Sequence, residues 1–244
     1  MTDRVVFLGT GTCELVKRRL ASSVLVEVEG SRFVFDMGRG IAGRIRELGY
    51  LQNDIRHLVL SHFHPDHFSD LIPYLHAAAK APTDLRTEDL HIYGPVGVED
   101  LMEKVFSLCG FQRPNSKRRF RIHLHSLRTT QRIGDLEVET ASLPPADNVG
   151  VRFRLGRKTI AITGDSAFHQ YELDFLHRVD LAVIDSGHLT SEEIVELAVR
   201  ARPKWILCSH VYRDLDAHSL SVQARRRGFS GRIGVAEDRM VIEL

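Results

Sequence analysis

One six-residue stretch of the chain contains four side chains that can bind a divalent cation. In Leu58-Val-Leu-Ser-His-Phe-His-Pro-Asp-His, the residues His62, His64, Asp66 and His67 follow an apolar run that is typical of a buried strand. Because side chains alternate along an extended segment, His62 and His64 can point to one side, while Asp66 and His67 lie across the turn and can face a second ion. Whatever fold the chain adopts must present this strand end as a metal site.

Two other predicted strands end in residues of the same kind. Asp165 follows Thr159-Ile-Ala-Ile-Thr-Gly and can bridge two cations, and His210 follows Trp205-Ile-Leu-Cys-Ser. Imidazole and carboxylate ligands suit zinc, manganese or iron at neutral pH. The sequence therefore predicts one or two ions, zinc or else manganese or iron. The predicted metal ligands are His62, His64, Asp66, His67, Asp165 and His210.

Short runs rich in Val, Ile and Phe recur along the chain, and strands are predicted at 5–8, 23–28, 32–36, 57–60, 90–93, 120–124, 136–141, 149–155, 158–163, 181–185, 205–208, 233–235 and 241–244. Helical spacing occurs at 41–48, 69–80, 98–108, 191–201 and 220–227. Strands outnumber helices, which favours sheets with helices packed outside them over a strict β-α alternation. The segments 81–89 and 112–119 are predicted to be surface loops, and no linker divides the chain, so we expect a single domain over 1–244.

Composition excludes several classes of protein. A hydrophobic content of 43% supports a full core, and the balance of 33 basic against 32 acidic residues argues against an obligate nucleic-acid coat or a polybasic membrane anchor. No apolar run is long enough to span a bilayer, and the first residues lack the layout of a signal peptide. Cys13, Cys109 and Cys208 are far apart, so neither a disulfide framework nor a thiolate zinc site is predicted. We expect a soluble, cytoplasmic protein without membrane association.

The segment His-Phe-His-Pro-Asp-His resembles the HxHxDH signature of the metallo-β-lactamase superfamily. Phe7-Leu-Gly-Thr-Gly-Thr, Leu90-His-Ile-Tyr-Gly-Pro-Val-Gly and Thr163-Gly-Asp-Ser resemble the branch that contains ribonuclease Z and related small phosphodiesterases. The resemblance, from about Val5 to His210, implies an α/β (α+β) fold, a four-layer αββα sandwich with a dinuclear metal site at one edge of its sheets. It also allows a homodimer.

The same resemblance extends to Asp185 and His188. In this branch such a pair assists the leaving group or orients the scissile phosphate, and a carboxylate next to an imidazole raises the imidazole pKa and favours a proton donor. Asp66 would orient the attacking water as well as bind metal. The catalytic residues implied are thus Asp66, Asp185 and His188. An alternative remains in which Asp185 only supports its neighbours and His188 is a surface residue at a helix start.

Two departures from the branch pattern bear on activity. Pro144 stands near the position where the branch has one more metal-binding histidine, before Gly150-Val-Arg. Three interpretations follow: a one-metal enzyme, a weak first site completed by Asp147 or His169, or a scaffold without activity. The segment from Arg152 to Lys158 also has room only for a hairpin turn, whereas ribonuclease Z enzymes insert a long arm there that grips tRNA.

The function predicted from these residues is hydrolysis of a small nucleotide or cyclic phosphodiester through a metal-bound hydroxide. One alternative is hydrolysis of an ester, thioester or lactone at the same site. A tRNA 3′-processing endonuclease is disfavoured because the arm is missing, so nucleic acid is not the favoured partner. The remaining alternative is a metal-binding scaffold without catalytic activity.

Overall fold

The structure is a computed structural model that describes residues 3–110, 120–144 and 147–243. The strands among these residues are β1 (Arg4–Gly9), β2 (Ser23–Val28), β3 (Ser31–Phe35), β4 (His57–Val59), β5 (Leu90–Gly94), β6 (Ile122–Ser126), β7 (Thr130–Ile133), β8 (Leu136–Leu143), β9 (Asn148–Leu155), β10 (Lys158–Ile162), β11 (Leu181–Asp185), β12 (Trp205–Ser209), β13 (Arg232–Val235) and β14 (Val241–Glu243). The helices are α1 (Ile41–Glu47), α2 (Pro65–Phe68), α3 (Leu71–Lys80), α4 (Val98–Leu108), α5 (Gln170–Phe175), α6 (Ser191–Ala201) and α7 (Ala217–Arg226), with a short 3₁₀ helix at Gln52–Asp54.

The described strands form two seven-stranded sheets. The first has the order β14-β1-β2-β3-β4-β5-β6, and the second has the order β13-β12-β11-β10-β9-β8-β7. Strands β3 to β6 are parallel, and so are β10 to β13, while the other neighbours are antiparallel. Each sheet therefore has a row of strand ends along one edge, where ligands of open α/β sheets usually bind.

Three apolar clusters show how the layers pack. In β1, Val5 and Phe7 belong to the core between the sheets, whereas Val6 and Leu8 face the opposite way and pack under α1, α3 and α4. A third cluster lies between the second sheet and α5, α6 and α7. This alternation, with a period of two residues, gives each sheet two buried faces. The predicted four-layer αββα sandwich is confirmed.

The predicted strands and helices all occur, with shifts of a few residues at their ends. Among the described residues, four short elements were not predicted, one of them the 3₁₀ helix at Gln52–Asp54. Strand β7 carries three polar residues in Thr130–Ile133, so it lacks an apolar pattern. Helices α2 and α5 have four and six residues, too few to show helical spacing. The predicted loop at 112–119 and the end of the last predicted strand, at 244, lie outside the described residues.

Two further features of the fold concern a strand connection and the character of the helices. Strands β9 and β10 pair up to Leu155 and Lys158, so only Gly156 and Arg157 connect them, as the sequence predicts. Within the described ranges, no helix combines the length and the apolar character that crossing a bilayer requires.

Candidate metal centre

The candidate ligands lie just beyond the ends of parallel strands of both sheets. His62 to His67 follow β4 and form the turn into α2, Asp165 follows β10, and His210 follows β12. Three groups of donor atoms among the described residues are close enough to hold an ion. The six ligands predicted from the sequence all belong to these groups.

One group consists of Asp66, His67 and His210, and another of Asp165, Asp185, His188 and His210. The name inner cluster is used here for Asp66, His67 and His210 together with the Oδ1 atom of Asp165, which faces both of these histidines. The Nε2 atom of His67 lies 3.1 Å from Asp165 Oδ1 and 3.8 Å from Asp66 Oδ2. The Nε2 atom of His210 lies 3.4 Å from each of the same two oxygens. Two ligands of a tetrahedral zinc ion are about 3.3–3.6 Å apart, and these four separations lie near that range.

The third group, here called the outer cluster, consists of His62, His64 and the Oδ2 atom of Asp165. The Nε2 atom of His62 lies 2.9 Å from His64 Nδ1 and 3.6 Å from Asp165 Oδ2. His62 is buried, but His64 is exposed. Asp165 therefore presents one oxygen to each cluster, which is the arrangement that a carboxylate bridging two cations requires.

Buried atoms without hydrogen bonds provide an independent test of whether a metal fits. His67 Nε2 and Asp165 Oδ1 are both buried, and neither makes a hydrogen bond of acceptable geometry, although they face each other. An unpaired polar atom in a protein interior costs free energy. A divalent cation bound between these atoms would remove that cost, so the donor set fits a metal.

The orientation of His67 depends on Asp36, which sequence analysis missed. The Nδ1 atom of His67 lies 2.8 Å from Asp36 Oδ2, and Asp36 in turn accepts hydrogen bonds from the backbone N–H and the hydroxyl of Ser61. Such a carboxylate fixes the ring so that Nε2 is free for the metal. Gly38 is required beside it, because a Cβ atom there would lie 1.7 Å from the carbonyl oxygen of Asp66.

Two site residues have backbone conformations that non-glycine residues seldom adopt. Asp36 has φ of 60° and His210 has φ of 53°, and each directly follows a strand. A left-handed conformation costs about 1–2 kcal/mol at a non-glycine residue. Such strain is concentrated at functional sites, which agrees with the place of both residues in the metal centre.

Proton affinities differ sharply between the histidines. Burial tends to lower the pKa of His67, but the two aspartates that it contacts outweigh this effect and raise it well above its usual value. Burial is likewise outweighed at His210, where Asp185 and Asp66 raise the pKa to about 9. At His62, burial dominates and lowers the pKa to about 4. Before an ion binds, His67 and His210 are thus cationic at neutral pH and His62 is neutral.

Asp185 and His188 lie beside the inner cluster. Asp185 is buried and accepts hydrogen bonds from the backbone N–H groups of Ser166, Gly187 and His188. Its contacts with His188 and His210 overcome the effect of burial and lower the pKa of Asp185 to about 2. It can therefore carry a negative charge at the centre of the site at any physiological pH.

His188 is held by this carboxylate. Its Nδ1 atom lies 2.6 Å from Asp185 Oδ2 and 4.0 Å from Asp165 Oδ2, and nearly half of the side chain is exposed. The hydrogen bond to Asp185 raises the pKa of His188 against the opposing effect of burial. The structure thus brings together the pair that the sequence suggested, in contact with the metal centre on one side and solvent on the other.

The region of Pro144 adds no ligand among the described residues. The carbonyl oxygen of Pro144 accepts a hydrogen bond of 2.7 Å from the N–H of Ala167, which places it beside the loop that bears Asp165. Asp147 is exposed, and His169 caps α5 and accepts a hydrogen bond from the N–H of Tyr171. Neither Asp147 nor His169 belongs to the groups of donor atoms that could hold an ion.

Tyr212 forms one wall of the site, and sequence analysis did not identify it. Its ring packs edge-on against His210 and His188, with centroids 5.4 and 6.1 Å away. Its hydroxyl lies 3.2 Å from the sulfur of Cys13, which belongs to the loop after β1. The contact joins loops from the two sheets at the mouth of the metal centre.

Comparison with known proteins agrees with this geometry. The chain is 32% identical over 124 residues to a ribonuclease Z of Streptococcus agalactiae, a match that covers 50% of this chain but only 38% of the relative. The metallo-beta-lactamase fold protein YhfI from Bacillus subtilis superposes with a TM-score of 0.82 at 18% identity, over 100% of both chains. The short form of human tRNase Z gives a TM-score of 0.75 at 20% identity, over 98% of both chains.

At these identities the structural matches establish the fold. The family model described as the metallo-beta-lactamase superfamily matches residues 16–210, which include every candidate ligand. The chain belongs to the metallo-beta-lactamase superfamily.

Proposed function

We propose that this protein is a metal-dependent phosphodiesterase that hydrolyses a small nucleotide or a cyclic phosphodiester. The observation that carries the proposal is the Asp185–His188 pair, which holds an imidazole of raised pKa 4.0 Å from Asp165 Oδ2. Hydrolysis of an alkyl phosphodiester expels an alkoxide, which needs a proton. A thioester expels a thiolate, which does not need one. The pair therefore favours phosphodiesters over thioesters, and the substrate panel separates phosphodiesters from esters and lactones, whose leaving alkoxides also need a proton.

The metal is proposed to be zinc, with manganese or iron as alternatives, because the donors are imidazole and carboxylate groups without a thiolate. Asp66, His67, Asp165 and His210 would hold one ion, and His62, His64 and Asp165 would hold a second. When bound, such ions neutralise phosphate oxygens and lower the pKa of a coordinated water towards about 7.

The protein's own side chains would then supply the proton for the leaving group and orient the attacking water. His188 donates from Nδ1 to Asp185 Oδ2, so its second proton, on Nε2, is available to the leaving oxygen. Asp185 stays ionised throughout and stabilises the imidazolium. Asp66 is half-buried, and contacts with His210 and His67 outweigh its burial and lower its pKa, so it stays ionised and can accept a hydrogen bond that orients the attacking water, as well as bind metal.

A small substrate is proposed because of the short connection between β9 and β10. Only Gly156 and Arg157 join the two strands, so this connection offers no surface on which to hold a large RNA. The curated relatives that the chain matches are named as ribonucleases, yet the match covers 38% of the first of them. RNA is therefore one member of the substrate panel rather than the proposed substrate.

The test is a panel of substrates given to protein reconstituted with Zn²⁺ or Mn²⁺. It contains bis-p-nitrophenyl phosphate, cyclic nucleotides, a short RNA, a lactone and a thioester. His188→Ala is expected to lower kcat about 10²- to 10⁴-fold for cyclic nucleotides, whose leaving alkoxides need a proton. It should change little for bis-p-nitrophenyl phosphate, because p-nitrophenolate leaves without one. His218→Ala, at an exposed histidine of α7, is the matched control.

Two results would overturn the proposal. One is hydrolysis of the lactone or thioester with no phosphodiester turnover, which would make the protein a carbonyl ester hydrolase. The other is full turnover of cyclic nucleotides by His188→Ala. No hydrolysis of any compound by metal-loaded protein would instead support a scaffold without activity.

A further inference from the structure

The two clusters differ in the number of protein atoms that they can offer to an ion. The inner cluster presents four donor atoms, with separations of 3.1 to 3.8 Å for the four contacts around the two histidine nitrogens. The outer cluster presents three, from His62, His64 and Asp165. Residues 111–119, 145 and 146 include no His, Cys, Asp or Glu, so they have no side chain of these types to add.

The clusters also differ in how their histidines are held. In the inner cluster, the Nδ1 atom of His67 is 2.8 Å from Asp36 Oδ2, and the Nδ1 atom of His210 is 3.3 Å from Asp185 Oδ1. Both histidines are buried, with 1% and 2% of their surface exposed. The ring of His67 is therefore oriented by a hydrogen bond, and that of His210 is held by burial beside Asp185 without a hydrogen bond of acceptable geometry at Nδ1, so little conformational entropy is lost when an ion binds.

In the outer cluster, only His62 has such support. Its Nδ1 atom lies 3.0 Å from the hydroxyl of Ser61, a neutral group. His64 is exposed, and its Nε2 atom contacts no partner in the part of the chain that the structure describes. An ion bound here must fix the His64 side chain and still lacks a fourth protein ligand, and both of these weaken binding.

We infer that the chain holds one divalent ion permanently in the inner cluster and takes up a second, exchangeable ion in the outer cluster only at higher free metal concentration. This inference rests on the proposed function in that both concern the same metal centre. The affinities should differ by ~100-fold, because loss of support from neighbouring groups alone weakens metal ligation by ~10- to 100-fold and the outer cluster also has one ligand fewer.

The experiment measures metal binding without using activity. Full-length protein is stripped with a chelator, titrated with Zn²⁺ in competition with a chromophoric chelator, and then dialysed against metal-free buffer before its zinc content is measured. The wild-type protein should retain one equivalent after dialysis and bind the second ~100-fold more weakly. The thermal midpoint should rise mainly with the first equivalent, because that ion binds only the folded chain.

Two variants show which cluster binds the tight equivalent of zinc and which binds the weak one. His64→Ala changes an exposed side chain, so it should fold, keep the tight equivalent and lose the weak one. Asp36→Asn should weaken the tight equivalent ~10- to 100-fold and the weak equivalent much less, because Asp36 contacts His67 directly but reaches His62 only through the hydroxyl of Ser61. A general loss of structure would instead affect both equivalents.

The inference is overturned if wild-type protein retains two equivalents after dialysis, or if His64→Ala loses the tight one. Neither result bears on which substrate is hydrolysed. Conversely, protein that keeps one tight ion but hydrolyses no phosphodiester would refute the proposed function and leave the inference intact.

Discussion

Binding of an ion to the inner cluster should release protons, and the number follows from the structure. The Nε2 atoms of His67 and His210 face the oxygens of Asp66 and Asp165 at 3.1 to 3.8 Å, so an ion must displace any proton that they carry. The pKa of His210 is raised to about 9, and that of His67 is raised well above 6.5. Both imidazoles are therefore protonated at pH 7 before the ion binds.

The magnitude can be worked out from these values. At pH 7, His210 gives up close to one proton, and His67, whose pKa is also raised, adds to the release, so the ion releases at least about one. Each proton displaced makes the affinity change about tenfold per pH unit, so between pH 6.5 and 7.5 the affinity should rise at least ~10-fold. The increase should become smaller as the pH approaches 9, where His210 begins to lose its proton without help from the ion.

Isothermal titration calorimetry with Zn²⁺, repeated in buffers of different ionisation enthalpy, measures the protons released per ion. His210→Ala should release about one proton fewer than the wild type at pH 7. Outer-cluster His62, whose pKa is lowered to about 4, is neutral at this pH and releases none. A wild-type release well below one proton at pH 7 would refute the pKa reasoning, and an affinity independent of pH would do the same.

Three further predictions concern single substitutions. Pro144→His adds an imidazole beside the loop of Asp165. It should increase the affinity for the second equivalent of Zn²⁺ at least about tenfold, measured by chelator competition. An unchanged affinity for the second equivalent would contradict this prediction. His57 stacks on Phe33, and burial, with a smaller effect of His91, lowers the pKa of His57 to about 4. Between pH 6.5 and 4 the folded state therefore binds fewer protons than the unfolded state, so stability is lost as the pH falls through this window. When the pH is lowered from 7 to 5, the free energy of unfolding of His57→Phe should fall by about 1–2 kcal/mol less than that of the wild type, measured by urea unfolding at both pH values. An equal fall in the two proteins would contradict this prediction. Thr190 accepts a hydrogen bond from the N–H of Glu193 in the capping box of α6. Thr190→Ala should therefore lower the free energy of unfolding by about 1 kcal/mol. Ser191→Ala, at the next position, which is exposed, should have little effect.

The candidate ligands could be identified from the sequence because their chemistry is local. His62, His64, Asp66 and His67 lie within one turn, and strand ends at Asp165 and His210 bring the other two donors to the same edge of the sandwich. Parallel strands within each sheet end on the same side, so the convergence of these segments follows from the fold. The helix start at Thr190 was predictable for a similar reason, since a capping box involves residues only three positions apart.

The sequence did not reveal Asp36, because nothing near it in the chain marks it as part of a metal site. Its role comes from a contact across thirty-one positions, with His67 Nδ1. A general signal was available: a buried histidine that binds a metal through Nε2 needs a partner for Nδ1, and that partner is often a carboxylate at a strand end. Asp36 directly follows β3, the neighbour of β4, so it was the natural candidate.

The carboxylate of Asp185 ties the metal centre to the proposed proton donor. A buried charge is costly unless hydrogen bonds and opposite charges offset it, and Asp185 has three backbone N–H donors together with His188 and His210. The same carboxylate faces the candidate ligand His210 with Oδ1 and the imidazole of His188 with Oδ2, so a change at Asp185 should affect both. Because Asp185 is the last residue of β11, a strand buried along its whole length, the core of the second sheet positions the proposed proton donor.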